Sequence, residues 1–100
     1  MMSFNQRVWN MCKKIPKGKV STYKEIARAL GTKAYRAVGN ALNKNPHAPV
    51  VPCHRVVKSD GTVGDFAHGV KRKIEMLKKE CIQAKQGKII SFEKKFYKLK

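Results

Sequence analysis

Apolar residues return along the chain at intervals of three and four, which is the spacing of one face of a helix. The first such stripe runs through Phe4, Val8, Met11, Cys12 and Ile15. Ser3 is placed to cap the start of this helix, and Pro16 with Gly18 is placed to end it. The pattern therefore predicts an amino-terminal helix that buries Cys12.

The same spacing predicts a helix that begins at Val70 near the other end of the sequence. Its inward stripe consists of Val70, Ile74, Leu77 and Cys81, so Cys81 is interpreted as a core residue. Its remaining face is basic and is expected to be in water. The residues on that face are Lys71, Arg72, Lys73, Lys78 and Lys79.

Two shorter amphipathic helices are predicted between these two, separated by a turn at Gly31. Ser21 or Thr22 caps the first, whose apolar residues are Tyr23, Ile26, Ala27 and Leu30. The second turns Ala34, Val38, Ala41 and Leu42 inward and shows Arg36, Asn40, Asn43 and Lys44 on its other face. Two short helices joined in this way are typical of a helix-turn-helix.

Gly39 lies inside the second of these short helices, where glycine costs about 1 kcal/mol relative to alanine. Close packing against another helix is one explanation. Close approach of the helix to a nucleic-acid backbone is the other. The two are compatible, because different faces of the helix could serve each.

The remaining segments complete the predicted architecture. Residues 56–63 are interpreted as a β-hairpin with Ser59, Asp60 and Gly61 at its turn, and residues 64–69 as an irregular loop. Residues 83–100 are basic and are expected to form an extension of low order, although residues 89–92 suit a short strand. The fold class is therefore mainly α: a winged-helix-like helix-turn-helix DNA-binding domain over residues 1–82, with a short β-hairpin and a basic extension over residues 83–100.

Charge indicates the kind of partner. The 100 residues include 23 Lys plus Arg and 6 Asp plus Glu, which gives a net charge of +17. Such a field favours a polyanion and predicts binding that weakens steeply with salt. A membrane surface is the alternative, but no stretch is long and apolar enough to span a bilayer and no signal peptide is visible. We expect a cytoplasmic, nucleoid-associated protein.

Reactive chemistry is concentrated in Pro52-Cys53-His54-Arg55, which apolar residues flank on both sides. An inert cysteine in a core strand is the alternative interpretation, but three adjacent polar groups need partners in an interior. A cysteine nucleophile needs a lowered pKa or a nearby base, and His54 is the candidate. Because neighbouring strand residues point to opposite faces, contact between them requires an irregular backbone or a bridging water. Sequence spacing does not choose the carboxylate that would orient His54.

These residues are part of a wider resemblance. The sequence of residues 52–57, PCHRVV, resembles the active-site signature of the O6-alkylguanine-DNA alkyltransferases, and the similarity extends from about Phe4 to Glu80. Residues 17–23 resemble the stretch around the family's tyrosine, and residues 34–42 resemble its recognition helix. Asn45 with Pro46 resembles its hinge. Residues 61–66 with Gly69 resemble the segment that closes the substrate pocket.

The resemblance implies a reaction and a role for each catalytic residue. The Cys53 thiolate would take an alkyl group from guanine O6 irreversibly, so that each molecule acts once. His54 would be the base, acting through water, and Glu80 its orienting carboxylate, while Arg55 would hold the loop. Tyr23 would donate a proton toward the leaving guanine and contact DNA. Asn45 would link the recognition helix to the active site.

The resemblance also implies a substrate pocket and a DNA surface. Arg36 would enter the base stack, and Ser21, Gly39 and Asn40 are weaker candidates for DNA contact. The pocket would be lined by Phe66, Ala67, His68 and Val56; many members have tyrosine, a small polar residue and glycine at the first three positions. The larger side chain of His68 would narrow the pocket and disfavour bulky alkyl groups. We therefore expect transfer of a methyl group to be preferred over transfer of a benzyl group.

The expected partner is double-stranded DNA containing O6-alkylguanine, bound through the minor groove without sequence preference by a monomer. No cofactor and no metal are expected. Zinc sites of some members belong to an additional amino-terminal domain, and the three cysteines show no metal-type pairing.

Three other functions compete with alkyl transfer. The first is a non-catalytic damage sensor resembling the alkyltransferase-like proteins, which lack the cysteine; Cys53 argues against it. The second is a helix-turn-helix regulator with a structural or redox-sensing Cys53, which should prefer one operator sequence. The third is a cysteine hydrolase, for which no oxyanion site is recognisable.

Overall fold

A computed structural model of the chain describes residues 2–45, 51–64 and 69–99. Five α-helices and four short strands form in this part of the chain. They are α1 (Phe4–Cys12), β1 (Ser21–Thr22), α2 (Tyr23–Ala29), α3 (Tyr35–Asn43), β2 (Val56–Val57), α4 (Val70–Lys79), β3 (Ala84–Lys85), β4 (Lys88–Ile89) and α5 (Phe92–Lys95). The predicted fold class, a mainly helical domain with a short sheet, is confirmed.

The amino-terminal helix forms for the predicted reason. Gln6 N–H donates to Ser3 Oγ at 3.2 Å while Ser3 N–H donates to Gln6 Oε1 at 2.9 Å, which is a capping box. The helix ends at Cys12, earlier than Pro16, and Ile15 still reaches the core beyond it. Cys12 is fully buried, as its place on the stripe predicted.

Helices α2 and α3 make the predicted helix-turn-helix. Glu25 N–H donates to the Thr22 hydroxyl at 2.9 Å, so Thr22 caps α2. Gly31 ends the turn after α2 with a φ of +75°, a value that glycine adopts without strain. The Trp9 ring N–H of α1 donates to the Ala41 carbonyl at 2.7 Å and ties α3 to the first helix. The outer face of α3 therefore has a fixed position.

The sheet differs from the prediction. Strand β2 pairs in parallel with β1, in the register Ser21 with Val56 and Thr22 with Val57, and this brings the start of α2 beside the reactive segment. The hairpin predicted over residues 56–63 is wrong: Lys58 N–H closes a tight turn onto the Thr62 carbonyl at 2.9 Å, but the partner of β2 is a strand distant in sequence. An antiparallel hairpin forms instead between β3 and β4.

The end of α4 also differs from the prediction, which extended the helical spacing to Cys81, because the helix ends at Lys79. The N–H of Cys81 donates to the Lys78 carbonyl at 3.0 Å and that of Ile82 to Leu77 at 3.0 Å, the bonds of a Schellman motif. Cys81 takes the left-handed position of this motif, with a φ of +66°. Its predicted burial is therefore wrong: Cys81 is exposed, and Ile82 packs against Leu77 in its place.

The carboxyl-terminal segment packs against the domain, so the expected low order is also wrong. Val20 N–H donates to the Lys95 carbonyl at 2.9 Å, and Tyr97 N–H returns a bond to the Val20 carbonyl at 2.7 Å. Leu99 N–H donates to Glu25 Oε2 at 2.7 Å, and the Leu99 side chain is fully buried in the core that surrounds Cys53. The segment therefore contributes to the core that packs around Cys53.

Leu99→Ala is expected to lower the free energy of unfolding by about 2–3 kcal/mol, because it removes a fully buried side chain. Urea denaturation of the variant beside Tyr97→Phe, which keeps the ring at a partly exposed position, measures this. Equal stability of all three proteins would contradict the packed segment.

Candidate active site and nucleic-acid interface

The reactive residues lie in a single turn of 3₁₀-helix, Cys53–Arg55, and not on a strand. Pro52, with φ −82° and ψ 64°, leads into the turn, and Arg55 N–H closes it onto the Pro52 carbonyl at 2.9 Å. Contact between Cys53 and His54 required an irregular backbone, and this 3₁₀ turn provides one. Both side chains are buried, with exposed fractions of 7% and 3%.

Glu80 is held by two residues of this turn. Arg55 donates to its carboxylate from Nε at 2.8 Å and from Nη2 at 2.6 Å, and His54 Nε2 lies 3.1 Å from Oε2. Arg55 Nη1 also donates to the Ile15 carbonyl at 2.8 Å, beyond the end of α1. One carboxylate at the end of α4 thus fixes both the arginine and the imidazole.

The electrostatics of the cluster favour an ionised Glu80 and a neutral His54. Burial acts to raise the pKa of Glu80, but the hydrogen bonds from Arg55 and His54 outweigh it and hold the pKa below 4.5. Burial lowers the pKa of His54 below 6.5, against the opposing effect of Glu80. An ionised carboxylate only accepts, so Nε2 carries the imidazole proton. Nδ1 then presents a lone pair, and it has no hydrogen-bond partner in the described part of the chain.

The three thiols differ in what surrounds them. Burial, with a further effect of Cys53, raises the pKa of Cys12 to about 12, so Cys12 stays protonated at neutral pH. Cys81 is exposed beyond the end of α4. Among the described residues, Cys53 is the thiol that shares a buried turn with an imidazole.

Tyr23 begins α2 and lies beside Lys73 of α4, a residue that the sequence analysis placed in water. Lys73 is fully buried; its Nζ lies 3.4 Å from the Tyr23 hydroxyl and 5.7 Å from the centroid of the ring. Its charge also contributes to the lowered pKa of His54. Lys73 lies four positions before Leu77, a helical spacing that would have placed the lysine on the inner face. Val70, which the stripe predicted to be buried, is instead 42% exposed.

Asn45 joins α3 to the reactive turn. Its side-chain N–H donates to the Val51 carbonyl at 2.9 Å, and the same carbonyl accepts from Cys53 N–H at 2.8 Å. A displacement of α3 would therefore be transmitted to the residue that carries the thiol.

A surface cavity of about 330 Å³ lies over α3 and brings together most of the predicted DNA contacts. It is lined by Tyr23, Tyr35, Arg36, Gly39, Asn40, Asn43 and Lys58. A Cβ added at Gly39 would have no atom within 4 Å, so packing against another described helix does not explain the glycine. Ser21 is not part of this surface: its side chain is fully buried, and a side-chain contact with DNA is wrong for it.

The predicted substrate pocket is described only in part. Phe66, Ala67 and His68 lie outside the described residues. Val56 is fully buried in β2, next to the reactive turn. Gly64, at the end of the described loop, approaches Tyr23 so closely that a Cβ there would lie 3.4 Å from the hydroxyl.

Two features are absent from the described residues. None of their helices has the length and apolar character needed to cross a membrane. Nor do they contain a group of three or more His, Cys, Asp or Glu side chains placed to hold a metal ion.

The fold and the site define a helix-turn-helix nucleic-acid-binding domain with a buried cysteine, histidine and carboxylate behind its recognition helix. Residues 3–82 match the family model described as the DNA-binding domain of 6-O-methylguanine DNA methyltransferase, and the chain belongs to this family. The family and its relatives are DNA-binding methyltransferases of DNA repair.

The relatives differ in how much of their length is shared. A methylated-DNA–protein-cysteine methyltransferase of Methanosarcina barkeri is 49% identical over 78 residues, which cover 77% of this chain and 49% of the relative. The crystal structure of Mycobacterium tuberculosis OGT in complex with DNA superposes with a TM-score of 0.76 at 42% identity, over 80% of this chain and 50% of that one. The chain thus spans about half the length or less of the curated relatives it matches.

Some solved structures match almost end to end. The crystal structure of S. pombe Atl1 in complex with damaged DNA containing O6-carboxymethylguanine superposes with a TM-score of 0.84 at 34% identity. The match covers 98% of this chain and 99% of Atl1, and it therefore includes the segment after residue 82 that the family model leaves out.

Proposed function

We propose that the chain repairs DNA by moving an alkyl group, typically methyl, from guanine O6 to Cys53 in a single, irreversible turnover. Residues 1–82 would then hold both the DNA-binding surface and the catalytic residues. One arrangement carries the proposal: Glu80 anchors His54 through Nε2, and Nδ1, in the buried turn that holds Cys53, has no hydrogen-bond partner among the described residues. This is an imidazole prepared to accept a thiol proton.

The proton and the alkyl group move in a defined order. The Cys53 proton passes through a water to His54 Nδ1, and Glu80 stabilises the imidazolium that forms. The thiolate attacks the alkyl carbon, so that the sulfur–carbon bond forms as the bond from carbon to O6 breaks. The guanine leaves as an anion and takes a proton from the Tyr23 hydroxyl. Nothing in this sequence of steps cleaves the resulting thioether.

Lys73 assists the leaving guanine. Its Nζ lies 3.4 Å from the Tyr23 hydroxyl, so a positive charge stands beside the oxygen that becomes negative when the proton is given up. Burial strengthens this interaction, because the effective dielectric constant around a fully buried ammonium is lower than that of water. Lys73 acts through Tyr23 and is a positioning residue.

DNA binds over α3 in this proposal, through the minor groove, without sequence preference and by one copy of the chain. The target guanine lies inside the duplex and must be flipped out before a thiolate reaches it. Arg36 is exposed on α3 and fills the vacated stack, while the open face at Gly39 lets the helix approach the backbone.

Gly39→Ala is expected to raise the stability of the fold while lowering its affinity for DNA. The alanine has open space around it, so the variant is expected to be more stable by about 1 kcal/mol, the helix-propensity difference. Affinity for duplex DNA is expected to fall on the order of tenfold, which corresponds to about 1.4 kcal/mol, because the methyl group holds the backbone away. Thermal unfolding and fluorescence anisotropy measure the two effects. Lower stability, or unchanged affinity, would contradict close approach at Gly39.

Alkyl transfer is tested by intact mass spectrometry of the protein after it is mixed with duplex DNA that contains one O6-methylguanine. A mass gain of one methyl group, mapped by peptide to Cys53 and absent with undamaged duplex, would establish the transfer. Conversion of O6-methylguanine to guanine within the DNA, at the same stoichiometry, would complete the balance of atoms.

The likeness to Atl1 over nearly the whole chain favours a second function, a non-catalytic damage sensor. The same experiment distinguishes the two. Tight binding of the damaged duplex without a gain in mass would assign the chain to sensing, and Cys53 would then be a buried residue without a reaction.

A further inference from the structure

A second and larger cavity, of about 560 Å³, lies on the other side of Tyr35 from the one over α3. Its walls come from α2, the turn between α2 and α3, the loop after β2, and α5 in the carboxyl-terminal segment. Phe92 and Phe96 line it from α5 and its end, with ring centroids 5.8 Å apart at 54°. This volume and this aromatic lining suit a small organic group.

The charges around the cavity favour an anion. Lys24 and Lys33 are exposed at its edge. Glu25 is the only carboxylate among the described lining residues, and Arg28 neutralises it with bonds of 2.8 and 2.7 Å while Leu99 N–H adds a third at 2.7 Å. In the described part of the lining, an occupant therefore meets two exposed cations and no unpaired carboxylate.

Tyr35 makes the cavity continuous with the proposed DNA surface. Its ring is 43% exposed at the first position of α3, and it lines both cavities. On one side it stands with Tyr23 and Arg36; on the other it faces the phenylalanines. A DNA strand that lies over α3 and continues past the amino-terminal end of this helix reaches the second cavity next.

We propose that the second cavity holds an unpaired nucleotide of the bound DNA strand. The base stacks on Phe92 or Phe96 beside Tyr35, and the phosphate lies against Lys24 and Lys33. Aromatic surface within a positive groove is the arrangement by which proteins hold unpaired nucleotides without reading their sequence. The inference rests on the proposed DNA binding, and it assigns a ligand to a segment that the family model does not include.

The test compares a blunt duplex containing O6-methylguanine with the same duplex carrying a single-stranded thymidine extension on one side or the other of the lesion. An extension on one side is expected to raise affinity about tenfold, the effect of one stacked base. Phe96→Leu, which keeps an apolar side chain, and Lys33→Ala should each remove the gain and leave the affinity for the blunt duplex unchanged. Phe4→Leu and Lys78→Ala, at positions remote from the cavity lining, are the matched controls and should retain the gain.

Position is tested by photo-cross-linking. With 5-iododeoxyuridine in the extension, an adduct in the peptide that contains Phe92 and Phe96, or at Tyr35, supports the proposal. Equal affinity for all three duplexes, or adducts elsewhere, overturns it. Loss of lesion binding with cross-linking of oligothymidine still at Phe96 would reject the repair function alone. Competition by an acidic aromatic peptide, without any gain from an extension, would reassign the cavity to a protein partner.

Discussion

Cys53→Ala is expected to abolish methyl transfer while leaving the binding of damaged DNA intact. Alanine removes the sulfur and nothing else, and Cys53 is only 7% exposed, so the surface presented to DNA is unchanged. Neither remaining thiol can substitute: Cys12 is protonated in the core, and Cys81 lies outside the site. Intact-mass measurement after incubation with the methylated duplex should show no adduct.

Cys81→Ser is the matched control, because it removes a thiol at an exposed position. It should transfer the methyl group at the rate of the unmodified chain. An adduct on the Cys53→Ala variant would show that another group is the nucleophile. If the variant loses both transfer and binding, with its unfolding temperature unchanged, the thiol itself would be a recognition element for the lesion.

Local patterns predicted the helices well because each carries its own signal. The first helix has its stripe and its capping residue, and both act as expected. The errors lie where contacts between segments distant in sequence determine the structure. Strand β2 pairs with β1, and residues 56–63 contain no sign of this partner. The carboxyl-terminal segment bonds to the backbone of Val20 and to the Glu25 carboxylate, and its own groups in these bonds are backbone groups that every sequence has.

The site residues likewise divide into those that the local sequence indicated and those that it did not. The residues themselves indicated Cys53, His54 and the need for an irregular backbone, because the chemistry is contiguous. Glu80 lies 26 positions from His54 and was chosen only by resemblance, although the structure brings the two to 3.1 Å. Lys73 was assigned to water by its type, and burial against Tyr23 reverses this assignment.

Glu80→Gln is expected to lower the free energy of unfolding by about 3 kcal/mol at neutral pH. The amide keeps the shape of the side chain but leaves the Arg55 guanidinium, 16% exposed, without its carboxylate. It also removes the charge that would stabilise a protonated His54, so methyl transfer should slow as well. Chemical denaturation measures the first effect. Glu75→Gln, the same change at an exposed position of α4, is the control and should be nearly neutral.

The pH dependence tests whether the charge of Glu80 is the cause. Because the pKa of Glu80 is lowered in the folded chain, its stabilisation is fully present above 4.5 and is lost as the pH falls through the folded-state value. Glu80 also raises the pKa of His54 against burial, so without Glu80 the cost of His54 below 6.5 is larger in the variant than in the original chain. The difference between the original chain and Glu80→Gln should therefore persist below 6.5 and shrink only as the pH falls through the folded-state pKa of Glu80. A difference that persists below the folded-state pKa of Glu80 would mean that packing, and not the carboxylate charge, holds the reactive turn against α4.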